Sequence, residues 1–520
     1  MEKSISLLTK GDEDSQIIIC GWVDRIRYYK SNIFFELRDG PLKNDIVQCI
    51  GTSECSNFCK ESYVEVQGIV KKVPEKHSTN TGIEFHVQKI LCHSPSNPDI
   101  SGRLCASASY DTQLDERHIY VRGNTIRTAA AITDLVLRTL RKTFKSFGCY
   151  EIVPPMYGDV KCEGGSNVFV MNHLGTPVYM TQSSQMYLEC MVPALGNTYC
   201  IQPSFRAEKS HTRRHLTCFT HAECELHGFQ TFDDFIFFLK HFLNRFFGFI
   251  VTKDTKGILK NTMRNEKLSI YEFVEDYIKK DFIVMSHSEA VSELVKRSIK
   301  KSDGSDYMDL DDIPEAAERN LIDSIDKIVL LTKFPSMTKA FYTASDPTDK
   351  ARSLSVDIEF PGVGEIFGCS MREYDYEKLR EKLELFTLRD VSDKILDMLE
   401  NMNHPEIVSE IKTKIELMEV NNLRTILMKA ILVLETHEKN LPEYKFDLFS
   451  LVKEKYDTLR KEVQDIPYKS YQWYFDLRKY GSGKTGGFGL GVERLVAWLT
   501  GAYTVKEVTM FPRFDGRLSP

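Results

Sequence analysis

The chain has 520 residues, 42% of them hydrophobic and 27% charged, which suits a folded protein of three or four domains and excludes a low-complexity or disordered chain. Its net charge is −6, so any nucleic-acid contact has to come from local basic patches and not from the field of the whole molecule. The 13 Cys are scattered, Cys55 and Cys59 lack a second pair to complete a zinc site, no apolar run approaches the roughly 20 residues that span a bilayer, and the acidic N-terminus has no signal or transit pattern; together these point to a reducing, cytoplasmic setting without a membrane. Residues 1–95 then read as a small β domain. Gln16–Val23, Ile33–Gly40, Ile46–Ile50, Ser62–Val70 and Ile83–Val87 are five short strands, and five such strands in under 100 residues predict a small barrel of the OB type. Between the first two lies Asp24-Arg25-Ile26-Arg27-Tyr28-Tyr29-Lys30, basic with aromatics interleaved, a composition that suits stacking of single-stranded bases over a cationic groove. Phe34 and Phe35 are neighbours in a strand, so one faces the core and the other does not.

Pro95, Pro98 and a Ser-rich stretch predict a hinge over 96–123. A helix is expected from about Thr125 to Phe147, ended by Gly148 and followed by an extended Tyr150–Pro155. Glu163-Gly164-Gly165-Ser166 is an acidic turn, and Thr181–Glu189 reads as a strand end leading into a helix. The most informative stretch is Cys200–Leu226. Its first run alternates, with Arg206 and Glu208 on one face and Phe205 and Ala207 on the other; a basic loop follows, then a second run and the acids Glu223 and Glu225. Two antiparallel strands joined by a basic loop aim several cations and one aromatic at a shared pocket, which suits a polyphosphate nucleotide. Residues 230–355 carry helices and irregular segments with no chemistry to read. Pro361-Gly362 then signals a turn that brings Asp357 and Glu365 together, a carboxylate pair suited to Mg²⁺ held between protein and phosphates. Residues 383–466 show apolar residues at helical spacing and read as a helical insertion packing its own apolar faces. Last comes Gly486-Gly487-Phe488-Gly489-Leu490-Gly491, where missing side chains let backbone approach a base, with Arg494 in the first turn of a helix.

The order Arg206-x-Glu208, basic loop, Arg214-His215-Leu216-x-x-Phe219-Thr220 resembles motif 2 of class II aminoacyl-tRNA synthetases, in the form used by the aspartyl/asparaginyl subgroup. The helix and extended segment over 125–155 resemble motif 1, and Gly486–Leu495 resembles motif 3. The resemblance covers about residues 16–382 and 467–515. It implies an α+β fold: an OB-fold anticodon-binding domain over 1–95, a hinge over 96–123, and a class II catalytic domain, an antiparallel sheet flanked by helices, over 124–382 and 467–520, interrupted by the helical insertion over 383–466. It also implies a homodimer through motif 1, with ATP, Mg²⁺, an amino acid and a tRNA as ligands.

By the same resemblance, Arg206, Glu208 and Arg494 form the catalytic set, with Arg206 on the α-phosphate and the attacking carboxylate. Arg214 and His215 serve the outer phosphates, Phe219 and Arg494 sandwich adenine, and Leu216, Gly489 and Gly491 complete the ATP site, with Asp357 and Glu365 holding Mg²⁺. Glu163 and Gln185 lie near the α-amino group of the amino acid, where a carboxylate and an amide carbonyl are suitable acceptors. In the barrel, Phe34 stacks on an anticodon base, Gln48 hydrogen-bonds one, and Arg25 lies beside them.

Which amino acid is decided by a few side chains. Aspartyl members carry a Lys three residues after the Gln of the amino-acid helix, and here that position is Leu188; they carry an Asp four residues after the Phe of motif 2, and here it is Glu223. Arg372 donates to a side-chain carbonyl and Glu223 accepts from a side-chain NH₂, a complement to an amide, whereas a carboxylate would meet Glu223 as like charge. The expectation is therefore the asparaginyl branch, of the eukaryotic cytosolic type: activation of L-asparagine to its adenylate and transfer to tRNA(Asn). The alternatives are an aspartyl enzyme, a non-catalytic RNA-binding paralogue, and an asparagine-making relative of the catalytic domain. The chain departs from the pattern with Lys484-Thr485 in place of Pro-His before motif 3 and with Cys369 where Gly is common.

Overall fold

The structure, a computed structural model, describes residues 2–73, 82–104, 108–163, 168–208, 212–262, 264–400, 405–416, 420–439, 449–465 and 467–519. Its strands are β1 (Gln16–Tyr29), β2 (Asn32–Arg38), β3 (Ile46–Gly51), β4 (Tyr63–Lys72), β5 (Ile83–Ser94), β6 (Tyr150–Glu151), β7 (Tyr157–Gly158), β8 (Val170–His173), β9 (Thr176–Met180), β10 (Thr198–Phe205), β11 (Cys218–His227), β12 (Ile283–Ser286), β13 (Val329–Thr332), β14 (Ser355–Phe360), β15 (Gly364–Met371) and β16 (Thr485–Gly491). Its helices are α1 (Ile100–Arg103), α2 (Tyr110–Asp115), α3 (Arg117–Tyr120), α4 (Asn124–Ser146), α5 (Gln185–Leu195), α6 (Phe232–Ile250), α7 (Lys253–Asn261), α8 (Ile270–Ile278), α9 (His287–Lys296), α10 (Glu315–Ile325), α11 (Tyr376–Glu400), α12 (Pro405–Glu416), α13 (Val420–Lys439), α14 (Phe449–Gln464), α15 (Tyr468–Lys479), α16 (Val492–Thr500) and α17 (Val505–Val508). No single helix among the described residues is long and apolar enough to cross a membrane.

The chain divides into two compact units. The first takes residues 1–138, 250–275 and 499–520. Its centre is a closed barrel in the order β1-β2-β3-β5-β4, as the five predicted strands imply. Alternation fills it: Ile17, Ile19, Val23, Phe35, Leu37, Val47 and Phe85 point inward and are buried. Phe34 takes the opposite face of β2 from Phe35 and is half-buried. Gln48 pairs across from Glu36, and Arg25 does so from the other side, so Arg25, Phe34 and Gln48 lie on one outer surface of the barrel. The residues expected to form a hinge carry α1, α2 and α3. Arg117 is buried there and donates to the carbonyls of Met510 (3.0 Å), Lys506 (2.7 Å) and Thr509 (2.6 Å), a long-range tie that Pro and Ser composition does not announce.

The second unit holds residues 139–249 and 276–498. Its sheet has eight strands in the order β12-β13-β14-β15-β16-β11-β10-β6, antiparallel except for β12–β13 and β10–β6. Rings of Phe144, Phe242, Phe367 and Phe488 pack behind it, with Phe242 and Phe488 centred 4.8 Å apart, which leaves the other face for polar side chains. The Gly-rich stretch before α16 is itself the central strand β16. A three-stranded sheet, β7-β9-β8, stands apart from this one. The insertion is helical over α11–α14, as its spacing predicts. Its core residues Leu388, Ile395, Leu427 and Ile431 run on into Phe341, Tyr471, Tyr474 and Phe475 of the catalytic unit, so the block shares a core with the sheet domain as well as packing on itself.

Candidate active site

The site is built on β11. A period of two puts Phe219, His221, Glu223 and Glu225 on one face. Register sets Ser204, Gln202, Cys200 and Thr198 of β10 across from them on one side, and Gly491, Gly489 and Gly487 of β16 across from the last three on the other. The glycines are there because the acidic row needs their space. A Cβ on Gly489 would lie 2.3 Å from His221 Nε2, and one on Gly487 would lie 2.2 Å from Glu225 Oε1.

One end of this face gathers arginines. Arg206 follows β10, pairs with Glu163 at 2.6 Å and lies over the Phe219 ring at 5.5 Å. Its Nε is buried with no hydrogen-bond partner among the described residues. Arg494, in the first turn of α16, donates from Nη1 to the Glu365 carbonyl (2.8 Å) and lies 3.3 Å from its carboxylate. Glu493 accepts from the Thr220 amide at 2.9 Å, which fastens α16 to β11 next to Phe219, and Arg206 and Arg214 lie near enough to Arg494 to repel it. Arg214 lies 3.3 Å from Glu315, and His215 Nε2 is 4.0 Å from Glu208. Leu216 is buried beside them. Of the basic loop, Lys209, Ser210 and His211 fall outside the described residues, as do Gly164, Gly165 and Ser166 of the acidic turn.

Next to the arginines stands a crowd of carboxylates. The Pro361-Gly362 turn forms as expected, but a bulge after Ile358 places Glu359, not Asp357, directly across from Glu365. Asp357 pairs with Lys339 at 2.5 Å. Burial pushes its carboxyl up to about 6, with Lys339 pulling back and Glu365 adding repulsion. Burial and the same two acids raise Glu318 of α10 to about 7. Glu359 is fully buried, neither oxygen has a hydrogen-bond partner among the described residues, and burial beside Glu318 lifts its carboxyl well above the usual range. Burial would raise Glu365 too, but Arg494, Lys339, Arg214 and Arg206 hold it at about 2. No three His, Cys, Asp or Glu among the described residues are grouped to hold a metal by themselves.

The other end is closed. Glu223 is buried and accepts from the Ser184 amide (2.9 Å) and the Ser183 hydroxyl. His221 lies 3.0 Å from Ser204 Oγ and 3.4 Å from Glu223, and burial with Arg206 nearby holds its imidazole neutral, at about 3. Gln185 donates to Glu189 at 3.0 Å. Arg372 forks onto Glu225, with Nε at 3.0 Å, and its other arm reaches the Ser370 hydroxyl. Leu188 is fully buried and supplies no cation.

Every predicted residue of the catalytic unit thus lies on or beside this one face, while Arg25, Phe34 and Gln48 belong to the first unit. Glu189, Lys339, Tyr474 and Arg478 also belong to the site's charge network, and Glu225, one of the two acids that end the motif 2 stretch, is the partner of Arg372. Glu225 is legible because it continues the period of two from His221 and Glu223; the other four have no local signal.

The family model described as tRNA synthetases class II (D, K and N) matches residues 109–405 and 448–515, breaking inside the insertion. The chain is 32% identical to the cytoplasmic asparagine–tRNA ligase of Debaryomyces hansenii over all of this chain and 79% of that one. It is 30% identical to the cytoplasmic asparagine–tRNA ligase of Saccharomyces cerevisiae over 97% of this chain and 76% of that one. Among solved structures, Entamoeba histolytica asparaginyl-tRNA synthetase in complex with asparaginyl-adenylate superposes with a TM-score of 0.74 at 25% identity, covering 100% of this chain and 99% of that one. With likeness running the length of the chain in sequence and in fold, this protein belongs to the asparagine–tRNA ligase family of class II aminoacyl-tRNA synthetases.

Proposed function

We propose that the front face of the eight-stranded sheet carries out the family's reaction, ATP-dependent ligation of L-asparagine to tRNA(Asn), in the cytoplasm where the relatives are named. The asparagine carboxylate attacks the α-phosphate of ATP, giving asparaginyl-adenylate and pyrophosphate, and a hydroxyl of the terminal adenosine of the tRNA then takes the acyl group with release of AMP. Arg206 neutralises charge between the carboxylate and the α-phosphate, and its unpartnered Nε is a donor ready for an incoming oxygen. Arg494 and Phe219 take the two faces of adenine; Arg214 and His215 take the outer phosphates, with Leu216, Gly489 and Gly491 shaping the site and Glu208 close to His215. Glu163 and Gln185 receive the α-ammonium. The protein supplies positioning and charge stabilisation, with no covalent intermediate of its own.

The acidic crowd fits a divalent cation: Glu359 has buried oxygens with no hydrogen-bond partner among the described residues, and Asp357, Glu318 and Glu365 lie close enough together to repel one another. Asp357 and Glu365 would hold Mg²⁺, with phosphate oxygens completing its shell. The ion neutralises polyphosphate charge when bound. Two copies of the chain pair through motif 1, where Val153 is 91% exposed directly after β6. The barrel surface with Arg25, Phe34 and Gln48 receives the anticodon.

One observation carries the choice of amino acid: Arg372 and Glu223 offer a donor and an acceptor, and Leu188 offers no second cation. Aminoacylation of tRNA(Asn) and tRNA(Asp) transcripts with labelled asparagine and aspartate tests it. Asparagine on tRNA(Asn) is the expected product, and aspartate on tRNA(Asp) would refute the reading.

A further inference from the structure

Behind Arg372 lies a second layer of charge that the reaction as described does not use. Glu189 of α5 is buried, and one carboxylate gathers three donors: Gln185 Nε2 (3.0 Å) and the Tyr474 hydroxyl (2.7 Å) on Oε1, and Arg478 Nη2 (2.7 Å) on Oε2. Arg372 Nε is 3.9 Å from the same Oε1. Arg478, on α15, also donates from Nη2 to the Tyr474 hydroxyl (3.0 Å) and from Nε to the main-chain carbonyl of Glu373 (2.9 Å), the residue that follows Arg372. α15 therefore holds Arg372 twice, through its neighbour's backbone and through Glu189. The front of Arg372 is set by Glu225, and its plane lies over the Tyr342 ring at 5.3 Å.

We propose that Tyr474, Arg478 and Glu189 are positioning and specificity residues for the amino-acid side chain. They fix the Arg372–Glu225 pair so that it reads an uncharged amide, and they set the sign of the surrounding field. The proposal rests on the placement of the asparagine side chain at Arg372 and Glu223 given above. Three carboxylates (Glu189, Glu223, Glu225) face two guanidiniums (Arg372, Arg478), so acids outnumber bases by one in a cluster out of reach of water, and burial lifts the Glu225 carboxyl to about 8 against the pull of Arg372. A neutral amide enters such a field without penalty, whereas a further carboxylate adds to an excess already buried. An arginine already forked onto Glu225 and fixed from behind keeps two N–H groups for a carbonyl oxygen but is not free to swing toward a second carboxylate.

A plain core role for these groups makes a different forecast from a positioning role. Loss of core packing lowers the melting temperature and moves all kinetic constants together. Loss of positioning raises KM for asparagine, leaves KM for ATP in place, and changes the ratio of asparagine to aspartate use. Tyr474→Phe keeps the buried ring and removes one O–H, so it separates the two. We expect Tyr474→Phe to raise KM for asparagine about tenfold in pyrophosphate exchange, the size of one hydrogen bond to a charged group, with KM for ATP within about twofold. Glu189→Gln, which removes the excess charge, should raise aspartate use relative to asparagine at least about tenfold. Arg478→Lys should follow Tyr474→Phe with a larger effect; if it fails to fold, the other two variants decide. Unchanged asparagine KM in Tyr474→Phe, or equal changes in both KM values, would overturn the proposal. Arg372→Lys is run beside them. If it too leaves asparagine KM unchanged, the side-chain placement itself is wrong; if it raises that KM while Tyr474→Phe does not, only the positioning role is lost.

Discussion

At the end of the site that holds Arg206, Arg214 and Arg494, these side chains keep 28%, 13% and 19% of their surface exposed, and Arg206 Nε has no hydrogen-bond partner among the described residues. At the other end Arg372 and Arg478 keep 4% and 2%, and both are fastened to buried carboxylates. The difference matches what each end is proposed to meet. A polyphosphate brings its own negative charge, so its site keeps its guanidiniums partly open, with Arg206 Nε left for the ligand to complete. A neutral amide brings none, so its site is closed and holds one more acid than base before the ligand arrives, and it discriminates through geometry and through the charge it refuses.

Removing a cation from the open end should do the most damage. Arg206→Ala should lower asparagine-dependent pyrophosphate exchange by about 10² or more, as for other preorganised charge donors. Near-normal exchange would show that the open guanidinium there is not what drives the chemistry. In the barrel, Phe34→Ala should weaken tRNA charging by about 1–3 kcal/mol while exchange without tRNA hardly changes. Equal losses in both assays would mark Phe34 as a packing residue despite its outward face. At the closed end, Glu223→Gln should erode the preference for asparagine over aspartate by at least about tenfold, since the amide keeps the shape but not the repulsion. A preference that stays intact would move discrimination elsewhere in the network.

The smallest effect concerns the acids between the two ends. Asp357 and Glu318 have folded-state values of about 6 and 7, above those of the unfolded chain. The folded form therefore binds more protons between about pH 4 and pH 7, so their contribution to stability is fully present below pH 4 and is lost as pH rises through 7. Without Mg²⁺, thermal stability should fall across that window, Glu359→Gln should flatten the fall, and added Mg²⁺ should restore stability at pH 7.5. A melting temperature that rises over the same range, or ignores the ion, would contradict the reading of this cluster as short of positive charge.

What could be read in the sequence was local. The five barrel strands, the split between Phe34 and Phe35, the motif 2 hairpin and the Pro361-Gly362 turn all follow from alternation and turn chemistry over a few residues. What could not be read was long-range or depended on register. Arg372 meets Glu225 across 147 positions, and Arg478 meets Glu189 across 289, with nothing local to announce either pair. The turn brings Asp357 near Glu365 as expected, but the bulge that pairs Glu359 with Glu365, and leaves Asp357 across from Gly368, has no turn signal to announce it. The glycines of β16 read as an approach for a base, and register adds a second reason for two of them, the room that His221 and Glu225 of the neighbouring strand take. The insertion reads as helical from its spacing, but only the fold shows its core continuing into Phe341 and Tyr471.

The most direct test of the closed, amide-reading site is amino-acid-dependent ATP–pyrophosphate exchange by the unaltered protein, with L-asparagine and L-aspartate side by side over a full concentration range. A site that hydrogen-bonds the distinguishing group and repels its replacement should favour asparagine in kcat/KM by about 10⁴ or more, without editing. Aspartate activated as readily as asparagine would contradict the roles given to Glu223, Arg372 and the charge layer behind them.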